Sequence, residues 1–99
     1  MSVKGKTKEK VRTRLKEPKH YRVMMHNDDF TTMEFVVEIL IDIFHKNQSE
    51  AERLMMRVHQ SGMAAVGVYP FDIAMTKIYE ATERAKQEDF PFRLTAEEA

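Results

Sequence analysis

From His20 to His26, apolar and polar positions alternate with a period of two. Tyr21, Val23 and Met25 fall on one face and Arg22, Met24 and His26 on the other, with Met24 blurring the pattern. That alternation predicts a half-buried strand. From Thr32 to Lys46 the period changes: Met33, Val36, Val37, Leu40, Ile41 and Phe44 recur at helical spacing. Phe35, Ile39 and Ile43 form a second apolar ridge, leaving Glu34, Glu38 and Asp42 as the exposed row, so this helix should be the buried centre of the domain. A second helix is predicted to start at Ser49, with Glu52 completing a capping box, and to stop near Gly62 in a left-handed cap. Its inner face is Ala51, Leu54, Met55 and Val58.

The run from Met63 to Tyr69 is rich in small residues (Ala64, Ala65, Gly67) and suits a strand lying close to another backbone. Pro70 fits the entry to a third helix over Phe71–Gln87, with Ile73, Ala74, Ile78 and Ala81 inward. After Pro91, Phe92 and Leu94 alternate with Arg93 and Thr95 in a short last strand, and the acidic end at Glu97 and Glu98 should fray. The order β-α-α-β-α-β predicts an α+β fold, a single three-stranded antiparallel sheet with three helices packed on one face.

Charge divides the chain in a way that hydropathy does not. The formal net charge is zero over 99 residues. Yet residues 1–19 hold Lys4, Lys6, Lys8, Lys10, Arg12, Arg14, Lys16 and Lys19 against only Glu9 and Glu17, so the remainder is correspondingly acidic. With Val11 and Leu15 as its main apolar side chains, this leader cannot offset the entropy of ordering, and residues 1–19 are expected to be a disordered basic tail. Residues 20–96 form the expected core domain and 97–99 a frayed end. Such a tail admits a nucleic-acid or ribosome-associated function, which would weaken steeply with salt. The chain has no cysteine, which rules out disulfides and thiolate metal sites and points to a reducing, cytoplasmic setting. No apolar run approaches the roughly 20 residues that span a bilayer, and none follows the charged N-terminus, so neither secretion nor membrane insertion is expected.

The stretch Asn27-Asp28-Asp29-Phe30-Thr31-Thr32-Met33-Glu34-Phe35 joins the first strand to the first helix. Asn and Asp favour turns because their side chains bond nearby backbone. Thr31 with Glu34 fits a capping box, which starts the helix at about Thr32. Carboxylates beside a helix N-terminus are also stabilised by its dipole. A second reading treats Asn27 and Asp28 as acceptors beside the apolar first turn of Thr31, Met33 and Val36. Such a junction suits a cation attached to an apolar group, and a peptide N-terminus is such an object.

Other chemistry finds no support. His20, His26, His45 and His59 lack zinc-site spacing, and no cofactor is implied. The glycines at 5, 62 and 67 make no phosphate loop, and the serines have no nucleophile-elbow setting. An acid–base pair of Asp28 and His59 is the one catalytic arrangement the residue types allow, and their sequence separation gives no reason to place them together. Enzymatic activity is not expected.

The string from Asn27 to Val36 resembles the signature of the ClpS adaptors, which deliver N-end-rule substrates to the bacterial ClpAP protease. Val58-His59, Gly62, Ala64, Gly67-Val68 and then Ala74, Thr76-Lys77 continue the resemblance in order, so that it covers nearly all of His20 to Leu94. It implies that Asn27, Asp28 and His59 bind the α-amino group of a substrate's first residue. Thr31, Met33, Val36, Met55 and Val58 would line the pocket for that residue's side chain, typically Leu, Phe, Tyr or Trp, with Met55 as a gate against β-branched side chains. The third helix around Asp72 and Lys77 would dock the N-domain of a ClpA-type AAA+ unfoldase. No nucleic acid or membrane partner is implied. The sequence departs from the family pattern at Thr32, where proline is common, at Phe30, where tyrosine is frequent, and at Asp72, where a longer acid is usual. The first would loosen the helix start. His59 must offer a lone pair to an ammonium, so binding should weaken as the imidazole gains its proton. Asp28→Ala is expected to lose binding and keep its fold.

Overall fold

The computed structural model describes residues 19–99, and the expectation of a disordered leader concerns residues that lie, Lys19 apart, outside them. The elements are β1 (His20–His26), α1 (Met33–Asp42), α2 (Gln48–Ser61), β2 (Met63–Pro70), α3 (Phe71–Gln87) and β3 (Arg93–Glu98). The strands form one sheet in the order β2-β1-β3, antiparallel throughout. Alternation along β1 does what its pattern requires. Val23 and Met25 are fully buried, whereas Arg22, Met24 and His26 face away from the helices and remain partly exposed.

Val23 pairs with Gly67 and Met24 with Ala65, so Val66 is an extra residue bulged into β2. A bulge lets one strand place adjacent side chains unusually, and Val66 is buried. Gly67 has a steric reason to be glycine, because a Cβ there would overlap the Tyr69 ring, 2.6 Å from its Cε2. α3 crosses all the strands through Ala74, Ala81 and Ala85, each at most 1% exposed. Alanine there lets the helix approach the sheet closely. Ile73, expected inward, sits beside that stripe and is 45% exposed.

α1 and α2 pack against each other, and Phe35 anchors α1 to the segment entering β3 through edge-on contacts with Phe90 (5.1 Å) and Phe92 (5.6 Å). α1 is shorter than its apolar pattern. It stops at Asp42, Lys46 N–H bonds back to Leu40 C=O at 3.0 Å, and His45 adopts a left-handed conformation with φ 57°. The periodicity runs on because Ile43 and Phe44 are buried within the turn, not because the helix continues.

The C-terminus of α1 carries no basic residue of its own, and α3 supplies one. Lys77 Nζ donates to Ile43 C=O at 2.7 Å and lies over the rings of Tyr69 (5.1 Å) and Phe44 (5.8 Å). A cation at a helix C-terminus satisfies an orphan carbonyl and complements the dipole. β3 also exceeds its expected length. Glu97 and Glu98 pair with Arg22 and Tyr21, and Ala99 N–H reaches His20 C=O, so main-chain bonding carries the strand through the predicted frayed end. Lys19 and Arg22 add ion pairs to Glu98 and Glu97.

Candidate functional site: a pocket between the first turn and the second helix

The turn after β1 is organised by Asp28. Its Oδ1 accepts from the backbone N–H groups of Phe30 (2.8 Å) and Thr31 (2.7 Å), and its Oδ2 from the Thr31 hydroxyl (2.7 Å). Partial burial opposes its charge, but the Thr31 backbone and hydroxyl bonds and the Phe30 bond outweigh that and hold the carboxyl below its ordinary range. Thr31 is therefore held by the turn, and the helix cap falls one residue later. Thr32 adopts the extended conformation of a cap and its side chain accepts from Phe35 N–H at 3.1 Å. The expected Thr31–Glu34 capping box is thus replaced by a Thr32 cap. The departure that should have loosened the helix start tightens it, since proline has no side-chain oxygen with which to make that bond.

The second helix start is displaced as well, but toward the N-terminus. Asn47 caps it, accepting from Glu50 N–H at 2.8 Å, and Glu52 instead receives the Gln48 amide at 3.0 Å. At the other end the expectation holds: Gly62 is left-handed, φ 88°, and its N–H returns to Val58 C=O at 2.9 Å. The carbonyl of Gly62 then accepts from Asn27 N–H at 2.8 Å, which ties the end of α2 to the end of β1.

That tie brings the distant pieces of sequence together. Asn27, Asp28, Asp29 and Thr31 from the turn, Met33 and Val36 from α1, and Met55, Val58 and His59 from α2 line one pocket of about 250 Å³. Each helix contributes side chains three or four residues apart, the spacing that places them on a common face. Val36 and Val58 form a buried floor, Met55 is half-buried, and Met33 stands at the rim, 44% exposed. Asn27 and His59 are exposed and Asp28 half-buried, so the polar groups gather at the mouth. Asp29 also lines the pocket, a role the dipole argument for it did not suggest; its place in the same turn as Asp28 was the available signal.

The resulting chemistry is an apolar hollow with acceptors at its opening. Asp28 Oδ1 has both lone pairs occupied, whereas Oδ2 keeps one for a ligand. Among the described residues no three His, Asp or Glu side chains converge to hold a metal ion. Asp72 and Lys77 are not part of this pocket. Asp72 is exposed in the first turn of α3, with its carbonyl accepting from Thr76 Oγ1 at 2.9 Å, while the Lys77 ammonium is turned toward Ile43.

A family model described as ATP-dependent Clp protease adaptor protein ClpS matches residues 16–95. The chain belongs to the ClpS family. An adapter protein ClpS of Treponema denticola is 52% identical over 81 residues, covering 82% of this chain and 80% of that one. The ClpS of Clostridium acetobutylicum is 44% identical over 97 residues, covering 96% of each. Among solved structures, Agrobacterium tumefaciens ClpS2 bound to L-phenylalaninamide superposes with a TM-score of 0.81 at 42% identity, covering 84% of this chain and all of that one. ClpS proteins are adaptors of the Clp protease, not enzymes, and the β-α-α-β-α-β architecture described above is theirs. No helix of the described residues is long and apolar enough to cross a membrane.

Proposed function

We propose that the chain binds the first residue of N-degron substrates and delivers them to a ClpA-type AAA+ unfoldase of the ClpAP protease, in the cytoplasm. The observation that carries this reading is the pocket itself, in which acceptors ring the mouth of an apolar hollow. A free α-amino group has a pKa of about 8 and is mostly an ammonium at neutral pH, with three protons to donate. Three acceptors line the pocket for them: the Asn27 side-chain carbonyl, the free lone pair of Asp28 Oδ2, and an imidazole nitrogen of His59. Beyond them Thr31, Met33, Val36, Met55 and Val58 receive a bulky apolar side chain. The phenylalaninamide bound to the Agrobacterium relative has this chemistry, a free amine beside an aromatic side chain.

Charge-assisted hydrogen bonds contribute about 1.5–3 kcal/mol each, and burial of a Leu or Phe side chain about 1.5–3 kcal/mol. Neither exceeds the cost of association alone. Recognition therefore requires both, which rejects internal apolar residues and polar N-termini alike. Delivery would use the exposed face of α3 around Asp72, with Lys77 at its edge through the protons that Ile43 does not take. The test is fluorescence anisotropy with peptides that differ only in residue one (Leu, Phe, Tyr, Trp, Val or Ala), each free and N-acetylated. Free Leu, Phe, Tyr and Trp peptides should bind and their acetylated forms should not. Equal binding of both forms would refute amine capture. Degradation of a Phe-initiated reporter by the purified unfoldase and protease, dependent on this chain, tests delivery.

A further inference from the structure

All the side-chain sulfur of this protein is in methionine, eight residues against no cysteine. The fold distributes those thioethers unequally. Met25 is fully buried; Met24, Met55 and Met75 are half-buried; Met33, Met56 and Met63 are exposed at 44%, 38% and 49%. Of the exposed group, only Met33 lines the pocket. Met55 also lines it but is half-buried, so among the described residues Met33 is the pocket methionine most open to solvent. Thioether oxidation needs access to the sulfur and converts a flexible apolar side chain into a polar one.

We propose that Met33 is a redox-modification site, at which oxygen transfer from a peroxide closes the pocket to bulky apolar N-terminal side chains. The sulfur lone pair attacks one peroxide oxygen and the O–O bond breaks. The S–O bond forms, and water leaves when the oxidant is hydrogen peroxide. Sulfur is oxidised by two electrons and the peroxide reduced by two. Reversal requires a thiol-dependent methionine sulfoxide reductase of each epimer specificity. The polar sulfoxide then stands in the wall of the hollow that the substrate side chain would fill, and a substrate side chain such as Leu or Phe offers it no hydrogen bond. Burying that unpartnered group disfavours apolar ligands. Bound substrate should in turn shield the sulfur. This inference rests on the peptide-binding reading above.

The experiment treats the full chain with hydrogen peroxide, maps sulfoxides by peptide mass spectrometry, and measures affinity for a free Phe-initiated peptide before and after. Met33 and Met63 should both oxidise, and affinity should fall by about tenfold or more. Both reductases together should restore it, and excess peptide during treatment should protect Met33 but not Met63. Met33→Leu, whatever its starting affinity, should keep that affinity through treatment, while Met63→Leu should lose it as the parent does. If untreated protein fails to bind the peptide, the functional reading falls and this inference with it. If untreated protein binds and oxidation at Met33 leaves affinity unchanged, or Met33→Leu remains sensitive, only the redox assignment is overturned.

Discussion

Asp28 has two duties at once, and they separate by substitution. Its Oδ1 holds the backbone of the turn and its Oδ2 holds Thr31 while keeping a lone pair at the pocket mouth. Asp28→Ala should therefore lower both peptide affinity and thermal stability, contrary to the expectation that the turn would keep its fold without it. Asp28→Asn keeps an acceptor for the Phe30 and Thr31 amides and removes the charge. It should reduce affinity by about tenfold to a hundredfold with a stability change under about 1 kcal/mol, measured by anisotropy and urea melts. Equal stability losses in the two variants would show that the turn does not depend on Oδ1. Lys77 is the counterpart residue far from the pocket. Lys77→Met retains the stem over Tyr69 and Phe44 but leaves Ile43 C=O without its ammonium, and should cost about 1.5–3 kcal/mol in a urea melt.

The two helix starts that form the pocket depend on caps one or two residues away from the local motifs that predict them. Thr32→Ala should destabilise the fold by about 0.5–2 kcal/mol, and Thr31→Ala should act instead mainly on peptide binding and on the Asp28 turn. Comparable melts for the parent and Thr32→Ala would argue against the cap. The end of α2 makes a similar demand on Gly62, whose left-handed backbone closes the helix and hands its carbonyl to Asn27. Gly62→Ala has open space for its Cβ, so any loss comes from backbone conformation, about 1–2 kcal/mol, and should also weaken peptide binding by moving Asn27 relative to His59.

Across the described residues, acid acts in two windows, because His26 favours its neutral form in the fold and because Asp28, together with Glu50 on the Arg53 guanidinium, favours its carboxylate. His26 Nδ1 lies 3.3 Å from Arg93, which can only donate, so the neutral ring carries its proton on Nε2 and donates to Thr95 Oγ1 at 2.8 Å. Burial and then the Arg93 charge lower its pKa, so its contribution is complete above the ordinary 6.5 and is lost as pH falls through the lower folded value. The Asp28 contribution is complete above 3.8 and is lost as pH falls through its depressed value. Urea melts against pH should show a first decline beginning near pH 6.5 that His26→Gln removes, and a second below 4.5 of which Asp28→Asn removes the part below 3.8 that belongs to Asp28; a flat profile from pH 7 to 5 would contradict the first. The sequence by itself determined the order of elements, the buried faces of β1 and α2, and the Gly62 stop, because period and backbone conformation are local properties. It also carried the residues of the pocket, though through a family pattern, since no local rule joins Asn27 to His59. Tertiary structure decided the rest. Capping was settled by competition among adjacent Thr, Asn and Asp side chains for the same few amides, which motif spacing ranks poorly. The inward turn of Lys77, the exposure of Ile73 beside an alanine stripe and the rim position of Met33 depend on how elements approach one another. That geometry arises only when the helices close on the sheet.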